Sequence, residues 1–142
     1  MKISKILLPV DGSSYSDHAT EYAIYLARLS HAHITAVSCY EWLGHMVDIP
    51  DSVIEELKQN LKKQAADVLE KTSQIIDQAG INHTVRTMSG SPGSMLTNLA
   101  KSKEFDLIVM GSHGHSDIAG LFLGSVTHKV LNTIYCPVLV VP

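Results

Sequence analysis

Short apolar runs alternate along the whole chain with longer stretches of helical periodicity, and that strict alternation is what most limits the folds open to it. The apolar runs fall at residues 3–10, 33–40, 81–88, 106–110 and 137–141. Between them lie four helical patterns. The first begins at Ser14 or Ser16 and ends near Ser30, with Ala19, Tyr22, Ala23, Leu26 and Ala27 on one side. The second opens on Ser52 and Glu55, which fit a capping box, and carries Ile54, Leu57, Leu61, Val68, Leu69, Ile75 and Ile76 until Gly80 stops it. Ser91 and Pro92 open the third, with proline where its missing N–H costs nothing, and Met95, Leu96, Leu99 and Ala100 give it an apolar side. The fourth runs from Ser125 to roughly Thr133. A βαβαβαβαβ order predicts one α/β domain over residues 1–142, a doubly wound five-stranded parallel sheet with helices on both faces. The near-continuous Ile6, Leu7 and Leu8 suit a strand buried on both faces. In strand three Val85 is the clearest apolar residue.

The link between the fourth run and the fourth helix, residues 111–123, is longer than most connections in a compact domain, and such loops are commonly functional. Gly111, Gly114, Gly120 and Gly124 punctuate it, and glycine lets a ligand approach the main chain closely. Ser125 reads as the N-cap of the following helix, which would leave the amides of Val126, Thr127 and His128 at the positive end of its dipole. Free amides at such an end suit a phosphate. By spacing alone, a plain flexible connection with an ordinary cap fits equally well.

The pattern of Gly111, two residues, Gly114, nine residues, then Gly124 and Ser125 resembles the nucleotide-binding signature of the universal stress protein family. Its flanks are similar too: DLIVMGSH from position 106, LGSVT from 123, CPVLVV from 136, and KILLPVDGS from position 5. The likeness spans essentially the whole chain. It implies the strand order 3-2-1-4-5, whose winding reverses between strands one and four, and ligands of open α/β sheets sit at such a reversal. It further implies an ATP-binding protein of the stress response that works as a nucleotide-dependent regulator or sensor, with at most slow hydrolysis. Asp11 would meet ribose hydroxyls, and backbone near Val10 and Cys39 would grip adenine. The full set implied at the nucleotide is Pro9, Val10, Asp11, Cys39, Met110, Gly111, His113, Gly114, His115, Gly124, Ser125, Val126 and Thr127. Any Mg²⁺ would be carried mainly by phosphate oxygens. His115 stands where relatives commonly have Arg or Lys, which reduces fixed positive charge near the phosphates. The order also puts strand five, 138–141, at a sheet edge, where an apolar run with unpaired backbone invites a homodimer.

Other functions find little support. Neither a GxSxG elbow nor a Walker A pattern occurs, and the first loop reads Asp11-Gly-Ser-Ser14 in place of the SGGxDS of adenylate-forming relatives of this architecture. A slow ATP-hydrolysing enzyme and a nucleotide-free interaction module remain the alternatives. His113, His115 and His128 have no accompanying carboxylate cluster, so no metal site is expected. A net charge of −3 without a basic run gives no footprint for nucleic acid. No apolar run approaches the roughly 20 residues that span a bilayer, and the start lacks a secretory pattern, so a cytoplasmic protein is expected. Cys39 and Cys136 would lie about 14 Å apart across two intervening strands, too far for a disulfide. The irregular segment 41–50 could be a lid over the ligand or a plain connection.

Overall fold

In the computed structural model, which describes residues 1–42, 44, 48–120, 122–133 and 135–142, strands and helices alternate in the expected order. They are β1 (Lys5–Pro9), α1 (Ser14–Ser30), β2 (His33–Tyr40), α2 (Asp51–Gln78), β3 (His83–Ser89), α3 (Pro92–Lys101), β4 (Leu107–Gly111), α4 (Ser125–Leu131) and β5 (Val138–Val141). All strand pairings are parallel, and the order is β3-β2-β1-β4-β5. Of the segment 41–50 read as a possible lid, residues 43 and 45–47 lie outside the described residues.

Side chains of a strand point alternately to its two faces, and the core divides accordingly. Ile6 and Leu8 of β1 join Ile34, Ala36 and Val109 in one layer with Ala19, Ala23 and Ala27 of α1 and Leu69 and Ile76 of α2. Leu7 points the other way, into a layer with Val37, Ile108 and Met110, closed by Leu96 of α3 and Val130 of α4. The small alanines of α1 let that helix lie close over the sheet, against β4 and β1, while α2 covers β2 and β3.

Several element ends differ from expectation. Ser13, not Ser14 or Ser16, caps α1: its extended backbone lets its hydroxyl accept from the Ser16 amide at 3.2 Å. The Ser52–Glu55 capping box does not form. Pro50 is the cap, its carbonyl accepting from Val53 and Ile54, so Ser52 already lies within the first turn and Glu55 accepts from Gln59. Ser91 does precede Pro92 as the cap of α3, without a side-chain bond. Strand one starts at Lys5, because the amides of Ser4 and Lys5 go to the Asp106 carboxylate at 2.7 and 2.9 Å. Asp106 is thus a clamp across the foot of β1 and β4 and stands outside β4 itself. Residue 81 is not in β3, since the Ile81 amide closes the end of α2 on the Ile76 carbonyl. That reversal needs Gly80, whose φ of +72° is left-handed.

Candidate functional site

β1 and β4 are neighbours whose following helices pass to opposite faces of the sheet, and beyond their carboxyl ends opens a cleft of about 320 Å³. This is the winding reversal where open α/β sheets bind ligands. Its floor comes from the end of β1, with Pro9 and Val10. One wall is Val37 and Cys39 of β2 with Pro92 and Leu96 of α3. The other is Met110 and Gly111 of β4, the loop residues His113 to Asp117, and Ser125 to Thr127 of α4.

The loop after β4 is held at both of its ends. Ser112 donates its amide to Val141 of β5 and accepts from the Gly124 amide, each at 2.7 Å, so the 112–124 segment leaves the sheet and returns to the same residue. Thr127 secures the helix behind it, its buried hydroxyl donating to the Gly111 carbonyl at 2.8 Å. Gly111 answers a packing need: a Cβ there would stand 2.9 Å from the Tyr15 carbonyl carbon, at the start of α1. The His113 ring rests against the Tyr15 ring with 5.1 Å between centroids, and its Nδ1 lies 3.0 Å from the Ser112 hydroxyl.

Two carboxylates organise the loop's backbone donors. Asp11 accepts from the Ser13 amide at 2.9 Å and, across the mouth of the cleft, from the His115 amide at 3.0 Å. Asp117 accepts from the Gly114 amide at 2.5 Å, the Ser125 amide at 3.0 Å and the Ser125 hydroxyl at 3.2 Å. Partial burial pushes the Asp117 carboxyl upward. The bonds from Ser125 and Gly114, with His113 beside it, outweigh that and hold it below the usual carboxylate range. Opposite them the Cys39 thiol is pushed up to about 11 by burial, so it serves as a small apolar lining group.

Of the residues expected at the site, Pro9, Val10, Asp11, Cys39, Met110, Gly111, His113, Gly114, His115, Ser125, Val126 and Thr127 all line this cleft. Gly124 lies just behind the lining. Ser125 is not the N-cap: Gly124 is, in extended conformation, with its carbonyl accepting from the His128 amide at 2.9 Å. The first-turn amides are therefore those of Ser125, Val126 and Thr127, one residue earlier than expected, and the Ser125 hydroxyl is left to bond Asp117. Val37, Pro92, Leu96, Ser116 and Asp117 were missed. The first three had a legible signal, since Val37 shares a strand face with Cys39, and Pro92 and Leu96 sit one helical turn apart. Asp117 had only its place three residues after a loop glycine. Among the described residues no group of three or more His, Cys, Asp or Glu is placed to hold a metal ion, and no helix is long and apolar enough to cross a membrane.

A cleft whose polar end is built from amides and one hydroxyl gathered on a carboxylate is chemically a seat for an anion. Comparison with known proteins gives that seat a family. A sequence model described as the universal stress protein family matches residues 2–142. The chain belongs to the universal stress protein family. Universal stress protein YxiE of Bacillus subtilis is 33% identical over 145 residues, covering 97% of this chain and 98% of YxiE. Among solved structures, universal stress protein UspA from Lactobacillus plantarum superposes with a TM-score of 0.90 at 26% identity, over 100% of this chain and 99% of that one. Another universal stress protein, solved in complex with cAMP, matches at a TM-score of 0.74 and 26% identity, over 100% of this chain and 99% of its own.

Proposed function

We propose that this universal stress protein binds an adenine nucleotide, ATP, in the cleft between β1 and β4 and acts as a nucleotide-dependent regulator in the cytoplasmic stress response. The observation that carries the reading is the convergence of the Gly114 amide with the Ser125 amide and hydroxyl on one anionic group at the winding reversal. Phosphate oxygens accept from such donors as carboxylate oxygens do. The apolar slot of Val37, Cys39, Pro92 and Leu96 at the other side suits a flat base, and Asp11 between the two ends offers an acceptor to ribose hydroxyls. The relative solved with cAMP supports the same class of ligand. Asp11 and Asp117 are both engaged by amides, so a Mg²⁺ ion would arrive with the polyphosphate and take its ligands from it. Calorimetric titration with ATP, ADP and AMP, with mass spectrometry of any nucleotide retained on purification, tests this. One ATP bound per chain is expected. No heat with any of the three refutes the reading.

A homodimer through β5 belongs to the same proposal. Val138, Leu139 and Val140 are only half-buried, and among the described residues β5 is paired with β4 alone, at one edge of the sheet. Antiparallel addition of a second copy's β5 would cover both. Light scattering at micromolar concentration should give twice the 15.5 kDa chain mass. A single chain mass there would exclude the dimer.

A further inference from the structure

The donors that the nucleotide reading gives to phosphate are held by a side chain of the protein. Asp117 takes the Gly114 amide on Oδ2 and both Ser125 donors on Oδ1. None of the lysines or arginines among the described residues is paired with it. Carboxylate and phosphate oxygens compete for the same N–H and O–H groups, and a donor committed to one is withheld from the other. Packing does not fix the carboxylate in place. Asp117 is half-buried, and the residues that follow it, Ile118, Ala119 and Gly120, are exposed, Ile118 by 73%. Outward movement of this short segment would take the carboxylate to water without disturbing Ser112, which holds the ends of the loop.

We propose that Asp117 is a specificity-determining residue of the cleft, an internal anion that keeps the phosphate donors until a ligand phosphate displaces it. The inference rests on the adenine-nucleotide reading of this cleft. Its consequence is selection by the phosphate end of the ligand. A nucleoside fills the apolar slot and the Asp11 end while Asp117 keeps its three bonds. A nucleotide has to replace those bonds with its own, and the displaced carboxylate stays nearby as a like charge. Both effects reduce affinity for phosphorylated ligands and leave the unphosphorylated nucleoside unaffected. The occupied seat also gives the Gly114 amide and both Ser125 donors an acceptor within the protein itself.

Asp117→Asn keeps the shape of the side chain and removes its charge, and Asp117→Ala removes the competitor altogether. The full-length chain and both variants are titrated calorimetrically with ATP and with adenosine, in EDTA so that no divalent ion bridges phosphate to carboxylate. Both variants should bind ATP at least about tenfold more tightly than the native chain, the low end of what one charge-assisted hydrogen bond contributes. Adenosine should bind all three equally. Equal ATP affinity throughout overturns the inference and leaves the nucleotide reading standing. Weaker ATP binding by Asp117→Ala, restored by Asp117→Asn, also overturns it, since Asp117 would then be a positioning residue of the loop. So does a parallel gain for adenosine, which would place the effect on the whole cleft. A native chain and variants that all ignore both ligands would refute the nucleotide reading itself.

Discussion

Gly114→Val is expected to lower ATP affinity by at least about a hundredfold, the cost of about two charge-assisted hydrogen bonds, while the protein stays folded. A Cβ at Gly114 would stand 2.7 Å from Asp11 Oδ2 and 3.5 Å from Asp117 Oδ2. It therefore enters the space between the proposed ribose acceptor and the proposed phosphate seat. Both neighbours are the ends of side chains that can swing aside, so the fold yields at little cost and the ligand loses its place. Gly124→Val should abolish binding as well, but by a different route. Its Cβ would meet the Asp117 carboxylate and, at 3.0 Å, the Cα of His113, which is backbone and cannot step aside. A loss of stability of about 1–3 kcal/mol should accompany the loss of binding there. Calorimetric titration with ATP beside urea unfolding separates the two routes. Native-like affinity in Gly114→Val would show that the cleft takes its ligand without close approach to the loop backbone.

How far each element could be read from sequence followed from what holds its ends. The span 33–40 was legible to the residue because β2 lies between two strands and its apolar content serves both faces. The start of α2 was not, because Pro50 caps it with a backbone carbonyl, and a backbone cap leaves no side-chain signature at Ser52 or Glu55. The apolar stripe of α2 is buried only in part. Leu69 and Ile76 are buried and Val68 is half-buried, whereas Leu57 and Ile75 are each 38% exposed. A helix of 28 residues runs about 42 Å, but the strands beneath it have eight residues or fewer, at most about 27 Å, so its first turns overhang the sheet. Val85 marked β3 correctly and is nevertheless 45% exposed, because β3 is an edge strand that covering elements reach only in part. Apolar character identified the strand without fixing its burial.

For the cleft, glycine spacing located the loop, since glycines record where backbone must come close to something. It did not tell which partner each glycine meets. Gly111 meets α1, whereas Gly114 and Gly124 border the carboxylates of the cleft. Nor could spacing distinguish Gly124 from Ser125 as the cap, because both residue types are common there and the choice is made by the Gly124 amide returning to Ser112. Asp117 was illegible for a stronger reason. Its role depends on donors from two residues, Gly114 and Ser125, that are brought together only when the loop closes on Ser112.

Leu7→Ala carries the largest expected effect on the fold itself, a loss of about 2–5 kcal/mol, a large part of the roughly 5–15 kcal/mol that holds a domain together. Leu7 is fully buried in the central strand, level with Thr35 of β2 on one side and Ile108 of β4 on the other, and packs in the layer closed by Leu96 and Val130. Four elements besides its own meet there, β2, β4, α3 and α4, so the space left by the lost methyl groups cannot be closed by moving one of them alone. Val85→Ala is the matched control: it too shortens an aliphatic side chain in a strand, but half-exposed at the sheet edge, and should cost no more than about 0.5 kcal/mol. Urea unfolding of both variants beside the native chain should show a lower midpoint for Leu7→Ala with the slope kept, and little change for Val85→Ala. The two side chains differ in what surrounds them far more than in size. Equal losses would therefore mean that β1 is not the buried centre of the sheet, and the cleft built on the carboxyl ends of β1 and β4 would lose its support.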